Sequence, residues 1–181
     1  MLEDKLLLWK LKRGHEPAMV RVYLKYRRLL LKLACGLVRD TAAAEDLVQD
    51  AFVSLAESVG RLRVNGSLKG YLIQSVINRA RNVHRAAHVR RDGNPVTDDL
   101  AAPDEVRPDR WVLHDDQLQH LHRALEQLPP EQREVVTLHL RADLTFREIA
   151  RLQNVSINTV QSRYRYGRDK LRALMNSELE P

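Results

Sequence analysis

The sequence contains little cysteine, glycine or proline and few aromatic residues. Cys35 is the only cysteine, so no disulfide can form within the chain, which fits a reducing cytoplasm. Seven glycines and seven prolines are few for 181 residues, and this scarcity favours a mostly helical protein. The N-terminal segment is too short and too charged to cross a bilayer, and it lacks the order of a signal peptide. We therefore expect a cytoplasmic protein without membrane insertion.

Charge is abundant and unevenly distributed. The composition is 44% hydrophobic and 30% charged, with a net charge of +6, which is typical of a globular chain. A basic balance suggests nucleic acid or another anionic surface as the partner, although a solvated basic surface explains it equally well. Residues 76–91 contain arginines and no acid, whereas residues 92–110 are acidic and contain Pro95, Pro103 and Pro108. This change of character predicts an extended linker.

Apolar spacing predicts an all-α fold with two small helical domains joined by the acidic linker. The predicted domains are residues 1–91 and 116–181, and the linker is residues 92–115. Since each domain can bury only a modest core, we expect mutual docking or ordering by a partner. The predicted helices cover about 2–13, Pro17 to about Arg39, about 42–58, about 68–88, a helix from Asp116, Pro130 to about Arg141, and two more that begin after Thr145 and Ser156.

Apolar stripes predict the buried face of each helix. For the second helix the stripe is Met19, Tyr23, Tyr26, Leu30, Leu33 and Leu37. For the third it is Ala44, Leu47, Val48, Ala51, Phe52 and Leu55. For the fourth it is Leu68, Leu72, Val76, Ala80 and Val83, widened by Ile73 and Ile77. For the last it is Ile157, Val160, Tyr164, Leu171 and Leu174.

The stretch TFREIARLQNVSINTVQSRYRYGRDKL, residues 145–171, predicts two helices joined by a tight turn. Thr145 and Glu148 form a capping-box pattern, Asn154 tolerates positive φ in the turn, and Ser156 caps the second helix. The second helix has a polar and basic face opposite its apolar stripe. Amide and guanidinium groups on such a helix suit the major groove of DNA, so the pattern indicates a helix-turn-helix. A solvated face on a bundle helix is the alternative.

Two further helix faces suggest macromolecular partners. The fourth helix has a polar stripe without acids, which suits single-stranded bases and backbone, with a plain basic surface as the alternative. The third helix has an acidic face, which favours a basic protein partner or simply solubility. The polar stripe consists of Gln74, Asn78, Arg81, Asn82 and Arg85.

Three segments in order resemble bacterial RNA polymerase sigma factors. They are AEDLVQDAF (44–52), LKGYLIQSVINRARNVHR (68–85) and LEQLPPEQREVVTLHLRADLTFREIARLQNVSINTVQSRYRYGRDKLRAL (125–174). The layout is similar to the extracytoplasmic-function (ECF) group, which has only regions 2 and 4. The resemblance implies a non-catalytic subunit without cofactors that directs core polymerase to promoters. It also implies a separate anti-sigma protein as a possible regulator.

The resemblance also implies roles for individual residues. The third helix would dock on the clamp helices of the polymerase β′ subunit, and the β flap is a further expected contact on core polymerase. The residues expected to bind core polymerase are Glu45, Asp46, Gln49 and Asp50. Those expected to open and read the minus-ten element are Asn65, Ser67, Tyr71, Asn78, Arg81, Asn82 and Arg85. Those expected at the minus-thirty-five element are Ser156, Asn158, Thr159, Gln161, Ser162, Arg163 and Arg165, with Arg163 assigned to phosphate.

Three positions depart from the family pattern. Tyr71 stands where Trp is usual, Asn82 where Asp is frequent, and Asn154 where Gly is usual.

Two other functions remain as alternatives. A stand-alone helix-turn-helix regulator would bind duplex DNA without polymerase. A metal phosphohydrolase of the HD type would need ligands that converge on one point, and its candidate residues cluster on one segment. These are His114, Asp115, Asp116, His120 and His122.

Overall fold

The computed structural model describes residues 2–38, 40–62, 67–93 and 116–177, and the described residues form eight α-helices. Asn65 and residues 94–115 of the predicted linker lie outside the described residues. Asp92 and Gly93, the first two residues of that linker, belong to α4. The helices are α1 (Leu2–Lys12), α2 (Glu16–Leu37), α3 (Thr41–Ser58), α4 (Leu68–Gly93), α5 (Asp116–Glu126), α6 (Pro130–Ala142), α7 (Phe146–Gln153) and α8 (Ile157–Ser177).

Local signals placed most helix starts correctly. Pro17 lies in the first turn of α2, where its missing N–H costs nothing. Asp40 caps α3 by accepting a hydrogen bond from the Ala43 amide at 3.0 Å. The Ser67 hydroxyl accepts from the Gly70 amide at 3.0 Å and so caps α4. Helix α4 extends beyond the predicted end near residue 88, to Gly93.

One continuous hydrophobic core joins the two halves of the molecule. It contains Val22, Leu30 and Leu33 of α2, the whole predicted stripe of α3, and also Leu138 of α6 and Ile149 of α7. A smaller cluster of Ala124, Leu125, Leu128, Val136 and Leu171 joins α5, α6 and α8. The two helical halves are therefore docked on each other, which was one of the two arrangements expected from their small size.

Three predicted core positions are wrong. Tyr23 of α2, Val83 of α4 and Ile157 of α8 are 39%, 44% and 38% exposed. Tyr23 still contacts the Phe52 ring of α3, with centroids 5.0 Å apart, so it lies at the edge of the core and not inside it. The remaining stripe residues of α2, α4 and α8 are buried or pack partly buried against a core.

The docked halves meet where α2 approaches α6 closely. A Cβ at Gly36 would overlap the Thr137 side chain, so only glycine permits this approach. The Thr137 hydroxyl donates to the Gly36 carbonyl at 3.3 Å, and Arg133 donates to the Leu37 carbonyl at 3.5 Å. Helix α2 has no basic residue in its last turn, so groups from α6 bind the carbonyls that its C-terminus leaves unpaired.

The helix ends are bonded reciprocally across this junction. Lys69 in the first turn of α4 donates to the carbonyl of Ala142, the last residue of α6, at 2.9 Å. Arg141 donates to the Lys32 carbonyl at 3.2 Å, and burial lowers the pKa of its guanidinium. Each half of the molecule therefore binds the C-terminal end of a helix in the other half.

Candidate nucleic-acid interface

Helices α7 and α8 form the predicted two-helix unit. The Thr145 hydroxyl accepts from the Glu148 amide at 3.3 Å, and Glu148 Oε2 accepts from the Thr145 amide at 2.8 Å. These bonds complete the capping box. The Thr145 hydroxyl also donates to Glu148 Oε2 at 2.7 Å, and this bond, together with the one from the Thr145 amide, lowers the pKa of Glu148. Asn154 takes φ 55° in the turn, and the Ser156 hydroxyl accepts from the Thr159 amide at 3.0 Å. The turn chemistry predicted from the sequence is confirmed at each of these residues.

Packing under α8 fixes which side of the helix faces outward. Val160 is fully buried, and the Tyr164 ring contacts both Phe146 and His139, with ring centroids 5.1 Å and 4.8 Å apart. Gly167 lets α8 lie close to Val136 of α6. The opposite side is therefore held outward as a fixed polar face. Its exposed members are Ser156, Asn158, Gln161, Ser162 and Arg165, with Thr159 and Arg163 partly buried beside them.

Arg163 and Arg165 differ in their surroundings. Arg163 donates to Gln153 Oε1 of α7 at 3.2 Å, which ties it to the start of the turn. Arg165 is exposed and lies over the ring of Tyr166, 5.1 Å from its centroid. Tyr166 is 57% exposed, and the sequence reasoning did not include it in the interface. An exposed aromatic residue beside an arginine on the polar face was the available signal.

The polar stripe of α4 forms a second outward face. Gln74 donates to Asn78 at 2.8 Å along the stripe, and Asn78, Asn82 and Arg85 are exposed. Arg81 turns instead toward α6, where its Nε and Nη2 groups donate to the Glu134 carboxylate. The described part of this stripe contains no acid, so its potential suits an anionic strand.

Tyr71 and Ser67 lie at the start of the same helix. The Tyr71 hydroxyl is 2.7 Å from the Ser58 hydroxyl, and the ring packs partly buried against the core. The ring is therefore fixed near the start of α4, and only one part of it is open to a ligand. Ser67 is exposed, and its hydroxyl is the cap of α4.

The acidic face lies on α3. Asp46, Gln49 and Asp50 are exposed side by side at helical spacing, and Glu45 is half-buried at the edge. Asp50 pairs with Arg79 of α4 at 3.3 Å, although its side chain remains 65% exposed. An exposed pair of this kind contributes little to stability and leaves the carboxylate accessible to a partner. The face thus presents accessible carboxylates on a rigid, well-packed helix.

Comparison with known proteins identifies both halves. The family model for sigma-70 region 2 matches residues 22–91, and the model for sigma-70 region 4 matches residues 118–171. The RNA polymerase sigma factor CarQ of Myxococcus xanthus is 32% identical over 169 residues, which cover 92% of this chain and 94% of CarQ. The chain belongs to the ECF group of the sigma-70 family.

Other sigma factors resemble the chain over most of its length. The RNA polymerase sigma-H factor of Pseudomonas aeruginosa is 29% identical over 89% of this chain and 88% of its own. The solved structure of CnrH in complex with the cytosolic domain of CnrY has a TM-score of 0.73 at 20% identity, covering 97% of this chain and 98% of that one. This structural likeness supports the all-α fold, and the resemblance inferred from the three sequence segments is confirmed.

The histidine-rich segment does not form a metal site among the described residues. Anywhere in the described part of the chain, no group of three histidine, cysteine or carboxylate side chains could hold a metal ion. His122 lies 3.5 Å from Glu126 on the same helix, whereas His114 and Asp115 are outside the described residues.

No described helix is both long and apolar enough to span a bilayer.

Proposed function

We propose that this chain is a dissociable subunit that binds core RNA polymerase and directs it to promoter DNA to initiate transcription. Sigma factors are not enzymes, and in this proposal the polymerase performs the chemistry. The observation that carries the proposal is that one sigma-70 chain presents an acidic face on α3 and two acid-free polar stripes, on α4 and on the N-terminal half of α8. It would act in the cytoplasm, where its polymerase is.

The residue roles follow from this arrangement. Residues 1–91 would serve as region 2, residues 92–115 as the linker, and residues 116–181 as region 4. The α3 face would dock on the β′ clamp helices, and region 4 would contact the β flap. The α4 stripe with Tyr71, Ser67 and Asn65 would hold the opened minus-ten element. The outward face of α8, including Tyr166, would read the minus-thirty-five element.

A separate protein is a further candidate partner. The solved structure of CnrH contains the cytosolic domain of CnrY. The solved structure of the sigma factor RpoE from Bartonella quintana contains the anti-sigma factor NepR. By analogy, an anti-sigma factor would bind this chain and cover the same faces. Pull-down with the purified chain from the source cell, followed by competition with core polymerase, tests this analogy.

Reversing charge on α3 should weaken polymerase binding. Asp46→Arg places a cation on the proposed interface without disturbing the Asp50–Arg79 pair. We expect the Kd for core RNA polymerase to rise by about tenfold or more, because like charges across an interface cost several kcal/mol. Fluorescence anisotropy of the labelled full chain titrated with core polymerase measures the change.

Glu16→Arg is the matched control, since Glu16 is an exposed acid at the opposite end of the antiparallel α2–α3 pair. Its Kd should stay within about twofold of the wild type. Equal weakening by both variants would show that only net charge matters. No binding by the folded wild type would leave a stand-alone duplex-binding regulator as the better account.

Removing Arg165 should weaken recognition of the upstream promoter element alone. The exposed guanidinium is held near Tyr166, and a specific base contact is worth about 1–3 kcal/mol. We expect Arg165→Ala holoenzyme to bind a promoter fragment, recovered by selection from random DNA, roughly tenfold more weakly. Arg172→Ala removes the same charge from the exposed C-terminal half of α8 and should have little effect. Loss of core binding in Arg165→Ala would refute the assignment.

A further inference from the structure

Glu134 of α6 is a buried carboxylate that holds an arginine from the other half of the molecule. Its side chain is only 10% exposed. Arg81 of α4 donates from Nε to Oε2 at 2.9 Å and from Nη2 to Oε1 at 2.7 Å. This parallel two-bond geometry is the one that arginine also forms with phosphate. Glu134 therefore binds Arg81 with the same geometry that a DNA phosphate would use.

The same carboxylate connects to the recognition helix. Gln153, the last residue of α7, donates to Glu134 Oε1 at 2.7 Å. The side-chain oxygen Oε1 of Gln153 accepts in turn from Arg163 Nη1 of α8 at 3.2 Å. A continuous chain of hydrogen bonds thus runs from Arg81 through Glu134 and Gln153 to Arg163. Its two ends are the arginines proposed for the minus-ten and minus-thirty-five contacts.

The geometry points to an intramolecular latch in which Glu134 occupies the phosphate-binding group of Arg81 and keeps the two halves docked. Single-stranded DNA would compete with Glu134 for Arg81, so that binding of DNA by α4 and separation of the halves favour each other. This inference rests on the proposed DNA contact of Arg81. A phosphate can accept from both Nε and Nη2 of Arg81 only after the Glu134 contact breaks.

The test compares two variants that lose the same charge from the same helix. Glu134→Gln removes the latch carboxylate, whereas Glu131→Gln removes an exposed carboxylate in the first turn of α6. The full chain is titrated against a fluorescein-labelled oligothymidylate at several salt concentrations. Reaction of the buried Cys35 thiol with a coloured disulfide reagent reports on separation of the halves, since Cys35 lies in the same core cluster as Leu138 and Ala142 of the docked α6.

We expect Glu134→Gln to bind the oligonucleotide more tightly by on the order of tenfold, because a larger fraction of the chain is competent to bind. The slope of log K against log salt should steepen by about 0.7, as one further phosphate contact is made. Cys35 should react faster in this variant. Glu131→Gln should match the wild type in slope and in Cys35 reactivity.

Equal tightening in both variants would show a simple charge effect and overturn the latch. Faster Cys35 reaction in Glu134→Gln without tighter DNA binding would overturn it as well. If Glu134→Gln does not fold, Gln153→Ala removes the second bond to the carboxylate at a partly exposed position and should shift both readouts in the same direction. Failure of the wild type to bind core polymerase would reject the proposed function but not this result.

Discussion

Replacing Ile149 by alanine should cost about 2–5 kcal/mol of unfolding free energy and abolish recognition of the upstream promoter element. Ile149 is fully buried on α7, within the core that joins the two halves. Truncation of a buried aliphatic side chain removes its transfer free energy and leaves a cavity that a packed helix pair cannot fill. The angle between α7 and α8 depends on that packing, so the polar face of α8 would lose its fixed position.

Leu140→Ala is the matched control, because Leu140 is an aliphatic residue of similar size on α6 that is 55% exposed. Its cost should be within about 0.5 kcal/mol of zero. Urea titration followed by circular dichroism measures both variants, and promoter binding by the holoenzyme provides the functional readout. A similar loss of stability in both variants would mean that Ile149 does not hold the two-helix unit together.

Gly36→Ala should separate the two halves of the molecule. The added methyl would overlap the Thr137 side chain of α6, and overpacking of this kind costs about 1–3 kcal/mol. Gly36 lies in the last turn of α2, where alanine keeps at most part of its advantage of about 1 kcal/mol over glycine, so α2 itself should not be weakened. We therefore expect a larger radius of gyration in small-angle scattering together with an intact helical signal.

Cys35 offers a second measure of this separation. Burial raises the pKa of its thiol, so exposure should return the pKa toward the ordinary value and increase the thiolate fraction near neutral pH. Gly60→Ala is the control, since a Cβ there would meet open space. The double variant Gly36→Ala, Thr137→Ala removes the two Thr137 side-chain atoms that the added methyl would overlap, and it should restore docking. If the double variant keeps the larger radius of gyration and the reactive Cys35 of the single variant, the close approach of Gly36 to Thr137 does not control docking.

Local chemistry made much of the fold predictable from the sequence. Caps depend on a few neighbouring residues, so Thr145 and Ser156 occupy the predicted positions. The α3 stripe was complete because neighbouring helices cover that whole face. The positive φ of Asn154 followed from the short turn between two periodic segments.

The contacts between the halves could not be predicted in the same way. Arg133, Glu134 and Thr137 are buried polar residues, although by type they belong on a surface. Their partners Leu37, Arg81 and Gly36 lie far away in sequence, and helical periodicity carries no information on such pairs. For the same reason the α4 stripe correctly gathered the polar residues but did not distinguish the engaged Arg81 from the exposed Asn82 and Arg85.

The reciprocal bonding of helix ends has a consequence for genetics. Lys69 of α4 binds the end of α6, while Arg133 and Thr137 of α6 bind the end of α2. A loss-of-function allele in α6 would therefore disturb α2 as well, even though its position in the sequence assigns it to region 4. Position along the chain is thus a poor guide to which promoter element such an allele affects, and suppressors of an α6 defect should be sought in α2 and α4.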